Sequence, residues 1–188
     1  MRRVTIGDII RDEASVQFDP GDSYRLSYPE FIAYFSGLDE ITHHNLIIAA
    51  NFTYGWMPTI LIFKSRDFAA GVAILNAARS QSVIGERDLN SLRSLIGNSM
   101  VGVSKLLHFV NPSRYAIWDR RVYTYINLGY SQLHIQKPRN YLAYLDNCHE
   151  ITNDGRFAPI HASMNRKIGY EVTAYRALEL VMYMSGTR

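Results

Sequence analysis

The stretch that decides the fold is VGVSKLLHFVNPSRYAIWDRRV, residues 101–122. Its first half repeats apolar residues at the i, i+3, i+4 and i+7 positions of a helix that buries one face. These residues are Val103, Leu106, Leu107 and Val110. Lys105 and Phe109 fall on the opposite side of the helical wheel, away from the core that this helix makes, so we expect the lysine to face either solvent or a cleft.

The second half of the stretch predicts a break and then a new helix. Asn111 and Pro112 should end the first helix, because proline restricts the residue before it. A connector at 113–118 then leads to Asp119, whose simplest role is to cap the next helix. Arg120 and Arg121 place positive charge in the first turn, where the helix dipole disfavours it. This pattern fits a site that an anion approaches.

The rest of the chain also has helical periodicity, and no segment shows the two-residue alternation of a strand. Residues 1–25 are expected to be irregular, with a turn at 19–22. A helix is predicted from Ser27, capped by the Ser27/Glu30 pair, to a stop near Gly37. Further helices are predicted at about 40–51, within 65–81, at 86–96, from Asp119 to about 128, at 137–151, and as one long last helix within 160–184.

These predictions define an all-α fold. We expect one compact multi-helix domain over residues 1–188, either as a single body or as two helical lobes with a cleft between them. The chain carries a net charge of +3 with a pI of about 9.0. This balance permits a polyanionic partner but does not require one.

Cysteine and histidine usage argues against metals and disulfides. The one cysteine, Cys148, excludes an intrachain disulfide and a cysteine-based zinc or iron–sulfur site. His43 and His44 are adjacent, which is the wrong spacing for chelation from one helix face. We therefore predict no metal and no cofactor.

No apolar run is long enough to cross a bilayer, and the start lacks the apolar core of a signal peptide, so we expect a cytoplasmic protein with no membrane partner.

Residues 86–128 resemble the helix–hairpin–helix DNA glycosylases, and 114–126 resemble their adenine and 8-oxoguanine members. The likeness rests on the glycine-bounded GNSMVG at 97–102, a helix carrying Lys105, a proline turn, and RYAIWDRRVYTYI at 114–126. The hairpin here reads LIGNSMVGVSK, without the usual proline and with Gly102 three residues before the lysine.

The resemblance implies a fold, an activity and a set of roles. In that superfamily the hairpin binds a DNA phosphate through backbone amides, the lysine of bifunctional members attacks C1′ of the damaged nucleotide, and the aspartate assists. Lys105 would then be the amine nucleophile and Asp119 the catalytic carboxylate. Gly97 and Gly102 would frame the phosphate-binding hairpin.

The same chemistry needs supporting side chains. A flipped base needs a stacking wall, for which Phe109, Tyr115, Trp118 and Trp56 are candidates, although each is equally a core residue. His108 is a candidate substrate-binding residue and cationic neighbour of the lysine; its alternative is a satisfied structural histidine. The candidates for phosphate contacts are Arg114, Arg120, Arg121, Lys137 and Arg139, whose alternative is solvated surface.

Three functions remain open from the sequence. The leading one is a DNA glycosylase or AP-lyase-like enzyme, with DNA as partner. The second is a glycosylase-fold protein without repair activity that binds DNA or a modified nucleotide. The third is a helical protein-interaction domain in which Asp119 only caps. A cleft that holds Lys105 and Asp119 beside a basic rim favours the first, and the absence of such a cleft favours the third.

Overall fold

The fold was examined in a computed structural model that describes residues 1–57, 59–80, 82–128 and 134–186. Within these ranges the chain forms ten α-helices and no strand, apart from one isolated antiparallel bridge between Phe63 and Ile96. The all-α prediction is confirmed. The helices are α1 (Ile6–Glu13), α2 (Ser23–Ser36), α3 (His43–Gly55), α4 (Phe68–Arg79), α5 (Glu86–Leu95), α6 (Met100–Val110), α7 (Arg120–Asn127), α8 (Pro138–Thr152), α9 (Phe157–Ile168) and α10 (Ala174–Ser185).

The helices pack around two central ones. Helix α6 packs against α2, α3, α4 and α5, and helix α10 packs against α1, α7, α8 and α9. We call these groups the α6 lobe (α2–α6) and the α10 lobe (α1 and α7–α10). Helices α5 and α8 also touch each other, and a single cluster of buried apolar residues extends from Val4 to Met182. The two lobes therefore share one hydrophobic core.

Both central helices are buried around most of their circumference. In α10, eight successive residues from Tyr175 to Met182 are buried. In α6 the burial extends to Phe109, which is 1% exposed and packs edge-on against Phe31, Phe52 and Trp56. The side of α6 opposite its apolar stripe is therefore closed at Phe109 but partly open at Lys105, so the wheel-based prediction that Phe109 lies away from the core is wrong.

The N-terminal region is more helical than expected. Residues 6–13 form α1, which begins at a reciprocal capping box: Asp8 N–H donates to Thr5 Oγ1, and Thr5 N–H donates to the Asp8 carboxylate. Helix α2 begins at Ser23, four residues before the predicted start. Its cap is Asp22, which accepts from Tyr24 N–H at 2.9 Å.

The predicted last helix is two helices. Gly169 separates α9 from α10 and has a φ of 90°, in the left-handed region that favours glycine. The predicted helix within 65–81 is α4; the last residue of that range, Gln81, lies outside the described part of the chain. The other predicted helices agree with the structure to within a few residues.

The segment 86–128 has the order predicted for it: helix, tight turn, helix, connector, helix. The turn spans residues 96–99, and Gly97 (φ 65°) and Asn98 (φ 58°) both adopt the left-handed conformation. Gly102 is inside α6 rather than in the turn. Both glycines make room for Tyr54, because a Cβ at Gly97 or Gly102 would lie 2.5 or 2.8 Å from the Tyr54 hydroxyl oxygen.

The connector between α6 and α7 is buried, although it is not helical. The side chains of residues 115–118 are at most 3% exposed. Each of the four carbonyl oxygens accepts a hydrogen bond from a side chain of a surrounding helix. The donors are His108 to Tyr115 O (2.6 Å), Tyr141 to Ala116 O (3.1 Å), Tyr144 to Ile117 O (3.2 Å) and Ser104 to Trp118 O (3.1 Å). Unpaired carbonyls would be costly in such a setting. The connector ends at Asp119, whose position is therefore set by α6 and α8 together.

Removal of the Ser104 hydroxyl tests this connector. Ser104 Oγ accepts from Trp118 N–H at 3.0 Å, and its one hydrogen is shared between Val101 O (2.9 Å) and Trp118 O (3.1 Å). We expect Ser104→Ala to lower the free energy of unfolding by about 1–3 kcal/mol, because it leaves a buried N–H and C=O without their partner. Urea denaturation measures this loss.

The control for that experiment is Ser91→Ala. Ser91 is exposed on α5, and its hydroxyl donates to Arg87 O within the same helix. We expect its effect to stay within about 0.5 kcal/mol. Equal losses in the two variants would show that the Ser104 bonds do not hold the connector.

Candidate functional site

A cleft of about 890 Å³ is bordered by residues of both lobes, and both Lys105 and Asp119 line it. Lys105 comes from α6, and Asp119 stands at the start of α7. The opposite wall includes Arg176 and Glu179 of α10. The volume is in the range typical of clefts that bind small molecules or single nucleotides. The structure thus brings together the two residues on which the leading hypothesis depends.

Lys105 is partly buried beside an aromatic ring. Its Nζ lies 4.9 Å from the centroid of the Trp56 ring, within the range of a cation–π contact. Burial lowers the pKa of Lys105, and Arg176 acts in the same direction, whereas the charges of Asp119 and Glu179 partly oppose the shift. A lowered pKa increases the fraction of unprotonated amine, which is the nucleophilic form.

Asp119 combines a structural role with a place in the cleft. Its Oδ1 accepts from Arg121 N–H at 2.9 Å and from Val122 N–H at 3.1 Å, so the predicted N-cap of α7 is present. The same carboxylate lines the cleft, and its charge influences the pKa of both Lys105 and Glu179. Capping therefore does not remove Asp119 from the site; it orients the carboxylate there.

Arg176 and Glu179 form a buried ion pair that sequence reasoning missed. Their side chains are 9% and 1% exposed, and Arg176 Nη1 donates to Glu179 Oε2. The guanidinium also lies over the rings of Tyr28 (4.7 Å) and Trp56 (5.8 Å), so it reaches from the α10 lobe to the α6 lobe. Burial raises the pKa of Glu179 to about 7, although the adjoining Arg176 favours the ionised carboxylate. The available signal was a pair of opposite charges three residues apart in the otherwise apolar YRALELVMYM.

The cleft carries a small excess of positive charge. Four of its lining side chains are anionic and six are cationic. The anionic ones are Asp19, Asp22, Asp119 and Glu179, and the cationic ones are Arg25, Lys64, Lys105, Arg120, Arg121 and Arg176. Arg120 and Arg121 thus lie where the sequence predicted contacts to an anion. The Arg121 guanidinium lies 4.7 Å from the ring centroid of Tyr183, which also lines the cleft.

Several predicted substrate-binding side chains lie in the core instead. Trp56 lines the cleft, whereas Phe109 and Trp118 are at most 1% exposed and are not among the lining residues. Trp118 Nε1 donates to Ile135 O at 2.9 Å.

Tyr115 and Arg114 border a separate cleft of about 730 Å³. Lys137 and Arg139, at the start of α8, do not line the main cleft.

His108 is a satisfied structural histidine and not a group of the cleft. The Tyr115 carbonyl can only accept, so Nδ1 carries the hydrogen of their 2.6 Å bond, and Nε2 accepts from the Tyr28 hydroxyl at 2.9 Å. Burial, with a further contribution from Arg176, lowers the pKa of His108 to about 3. The expectation that it supplies a cationic neighbour to Lys105 is wrong.

The amides of the turn donate within the chain. Gly97 N–H donates to Ile62 O at 3.0 Å, and Asn98 N–H donates to Arg93 O at 2.8 Å. Gly102 N–H donates to its helix cap, Ser99 Oγ, at 3.1 Å. The expectation that Gly97 and Gly102 offer free amides to a DNA phosphate is therefore corrected. The Gly97 amide is used by the hydrogen bond between the turn and Ile62, and the Gly102 amide is used by the cap at the start of α6.

The described residues contain neither a candidate metal site nor a helix that could span a membrane. Among residues 1–57, 59–80, 82–128 and 134–186, no group of three or more His, Cys, Asp or Glu side chains is placed to hold a metal ion. No helix in the described part of the chain is long and apolar enough to span a bilayer.

Comparison of the chain with protein-family models, with curated proteins and with solved structures finds no match. The function is therefore inferred from the chemistry and geometry of the cleft.

The buried His108 makes a prediction about acid stability. An unfolded histidine binds a proton below about pH 6.5, whereas the folded His108 stays neutral down to about pH 3. His108 therefore lowers the free energy of unfolding as the pH falls through this window, by up to about 1.4 kcal/mol per pH unit. His108→Gln lacks this penalty, so the stability advantage of the wild type should shrink between pH 6 and pH 4. Urea unfolding of both proteins at pH 7, 6, 5 and 4 measures this difference; a constant difference would contradict the assignment.

Proposed function

We propose that the protein is a DNA glycosylase with AP-lyase-type chemistry and the helix–hairpin–helix glycosylase fold. Lys105 is the amine nucleophile, and Asp119 is the catalytic carboxylate. One observation carries this proposal: Lys105 and Asp119, from different helices, line the same cleft, where burial lowers the pKa of the lysine.

The chemistry assigns a distinct role to each residue. Lys105 Nζ attacks C1′ of the nucleotide and forms a C–N bond. The N-glycosidic bond breaks, and its electron pair leaves with the base, which takes up a proton. The Asp119 carboxylate stabilises the positive charge that develops on the sugar and accepts a proton from the attacking amine. Asp119 passes this proton to O4′ as the sugar ring opens, which converts the adduct to a Schiff base at C1′. Loss of a C2′ proton to the freed carboxylate then expels the 3′ phosphate by β-elimination.

The surroundings of the pair suit this reaction. Trp56 supplies an aromatic wall beside the amine, as a flipped base requires. Arg120, Arg121 and Lys64 are exposed at the same cleft and suit contacts to phosphates. The order α5, turn, α6, connector, α7 is the one that the resemblance to the helix–hairpin–helix glycosylases implies, and it supports the proposed fold.

A second candidate is cleavage or binding of a free modified nucleoside or nucleotide. The hydrogen bonds of the turn amides favour it, because a duplex-binding glycosylase of this superfamily would use these amides on a backbone phosphate. The same cleft and the same two residues would serve this substrate.

Borohydride trapping tests the leading proposal. The protein is incubated with duplexes that contain 8-oxoguanine, uracil, hypoxanthine or an abasic site, and borohydride reduces any Schiff base to a stable adduct. We expect an adduct that peptide mass mapping places on Lys105 and that Lys105→Ala abolishes. Lys64→Ala, which removes a proposed phosphate contact and the other lysine that lines the cleft, should form less adduct, still attached to Lys105.

Asp119→Asn separates catalysis from capping. Asparagine caps helices as well as aspartate does, so α7 and the unfolding midpoint should be preserved. Loss of the negative charge should slow base release by about 100-fold or more. Base release at the wild-type rate in this variant would show that Asp119 only caps α7 and takes no part in catalysis.

The substrate panel separates the two candidates. Release of a base from free nucleosides, with none from any duplex, would replace the leading proposal by the second candidate. No adduct and no base release on any of these substrates would overturn both catalytic proposals.

A further inference from the structure

The inner part of the cleft contains donors that have no acceptor within the protein. Arg176 is only 7% exposed, yet its Nε has no hydrogen-bond partner, and the buried hydroxyl of Tyr170 has none either. Both residues line the cleft. Arg25, which also lines the cleft, has an unpaired buried Nε as well. Buried donors are nearly always paired in folded proteins, so three unpaired donors in one cleft indicate a ligand that supplies an acceptor.

The charges around these donors favour a neutral acceptor. The Arg176 guanidinium is already balanced by Glu179, and Asp119 adds a second carboxylate nearby. Lys105, Arg25 and Asp22 also influence these groups, so three cations are matched by three carboxylates and a phosphate would gain no net attraction here. A neutral carbonyl oxygen does not depend on such an attraction, and its two lone pairs accept from two donors, whereas a ring nitrogen accepts from one.

We infer that Tyr170 and Arg176 determine specificity by binding a carbonyl oxygen of the substrate base, with Glu179 accepting from an adjacent N–H. The site thus selects bases with an oxo group beside a ring N–H over bases with an amino group there. This inference rests on the proposed function for its substrate class, but it concerns binding and needs no cleavage step.

Both donors are held in place before a ligand binds. The Tyr170 ring stacks on Tyr28 with centroids 6.2 Å apart and an interplanar angle of 17°, and the Arg176 guanidinium lies 4.7 Å from the centroid of the Tyr28 ring. Arg25 ties the end of α9 to the start of α2, because its guanidinium donates to Ile168 O and to Asp19 O. Little side-chain ordering then remains to be done on binding, which favours affinity.

Hypoxanthine and adenine form a matched pair of probes. The two free bases differ at one edge, where hypoxanthine has a carbonyl and a ring N–H and adenine has an amino group and a bare nitrogen. Neither has a glycosidic bond, so their binding is independent of catalysis. Titration calorimetry should show that hypoxanthine binds the wild type at least about tenfold more tightly than adenine does.

Tyr170→Phe removes one donor and nothing else. We expect this variant to lose about two- to tenfold in hypoxanthine affinity and to leave adenine affinity unchanged. Its unfolding midpoint should stay the same or rise, because the lost hydroxyl has no partner in the protein. Tyr175→Phe is the matched control: Tyr175 is also on the α10 lobe but lines the separate cleft, so both affinities should stay at wild-type values.

The outcomes separate this inference from the proposed function. A hypoxanthine preference that falls in Tyr170→Phe, without base release from any duplex or nucleoside, supports the carbonyl site and overturns the catalytic proposal. Equal affinities for the two bases in the wild type, or equal losses for both bases in Tyr170→Phe, overturn the carbonyl site whether or not base release occurs.

Discussion

The structure depends on how a buried, non-helical connector satisfies its backbone. Four successive carbonyls at 115–118 lie in the core, where water does not solvate them and no ladder of secondary structure pairs them. Side chains of α6 and α8 donate to all four. This requirement explains why His108, Ser104, Tyr141 and Tyr144 are buried polar groups, and why side chains of both α6 and α8 surround the connector that leads into α7. Asp119 takes its position in the cleft from this arrangement.

The cleft is a second consequence of the same packing. Helices α6 and α10 are each the centre of one lobe, and each contributes charged side chains to the cleft: Lys105 from α6, and Arg176 with Glu179 from α10. Buried charges of one sign alone would be very costly, and the observed mixture of ammonium, guanidinium and carboxylates limits that cost. The aromatic rings of Tyr28 and Trp56 bring the cations of both helices together. A partly buried amine thereby shares one cleft with two carboxylates whose charges influence its pKa, which is the arrangement that the proposed chemistry needs.

Local sequence patterns anticipated most helices because the physics that forms a helix is largely local. Asp119 followed by an apolar repeat predicted the cap and α7, and the Lys105 stretch predicted α6. Two of the differences have local causes as well. The capping box of Thr5 and Asp8 is the local signal for the unpredicted α1, and the left-handed Gly169 is the local signal that divides the predicted last helix into α9 and α10. Phe109 was misplaced because a helical wheel describes one face, whereas α6 is covered on several sides.

The sequence by itself determined the helical class and the order of elements around 86–128, because spacing, capping and proline positions act within a few residues of one another. Lys105 and Asp119 were singled out by the resemblance of this segment to the helix–hairpin–helix glycosylases. Only the tertiary structure decided which side chains share the cleft. It placed Arg176 and Glu179 in the same cleft as Lys105, buried His108, Phe109 and Trp118 in the core, and paired the amides of Gly97 and Gly102 within the chain. These outcomes depend on contacts between residues far apart in the chain, and a helical wheel or a motif carries no information about them.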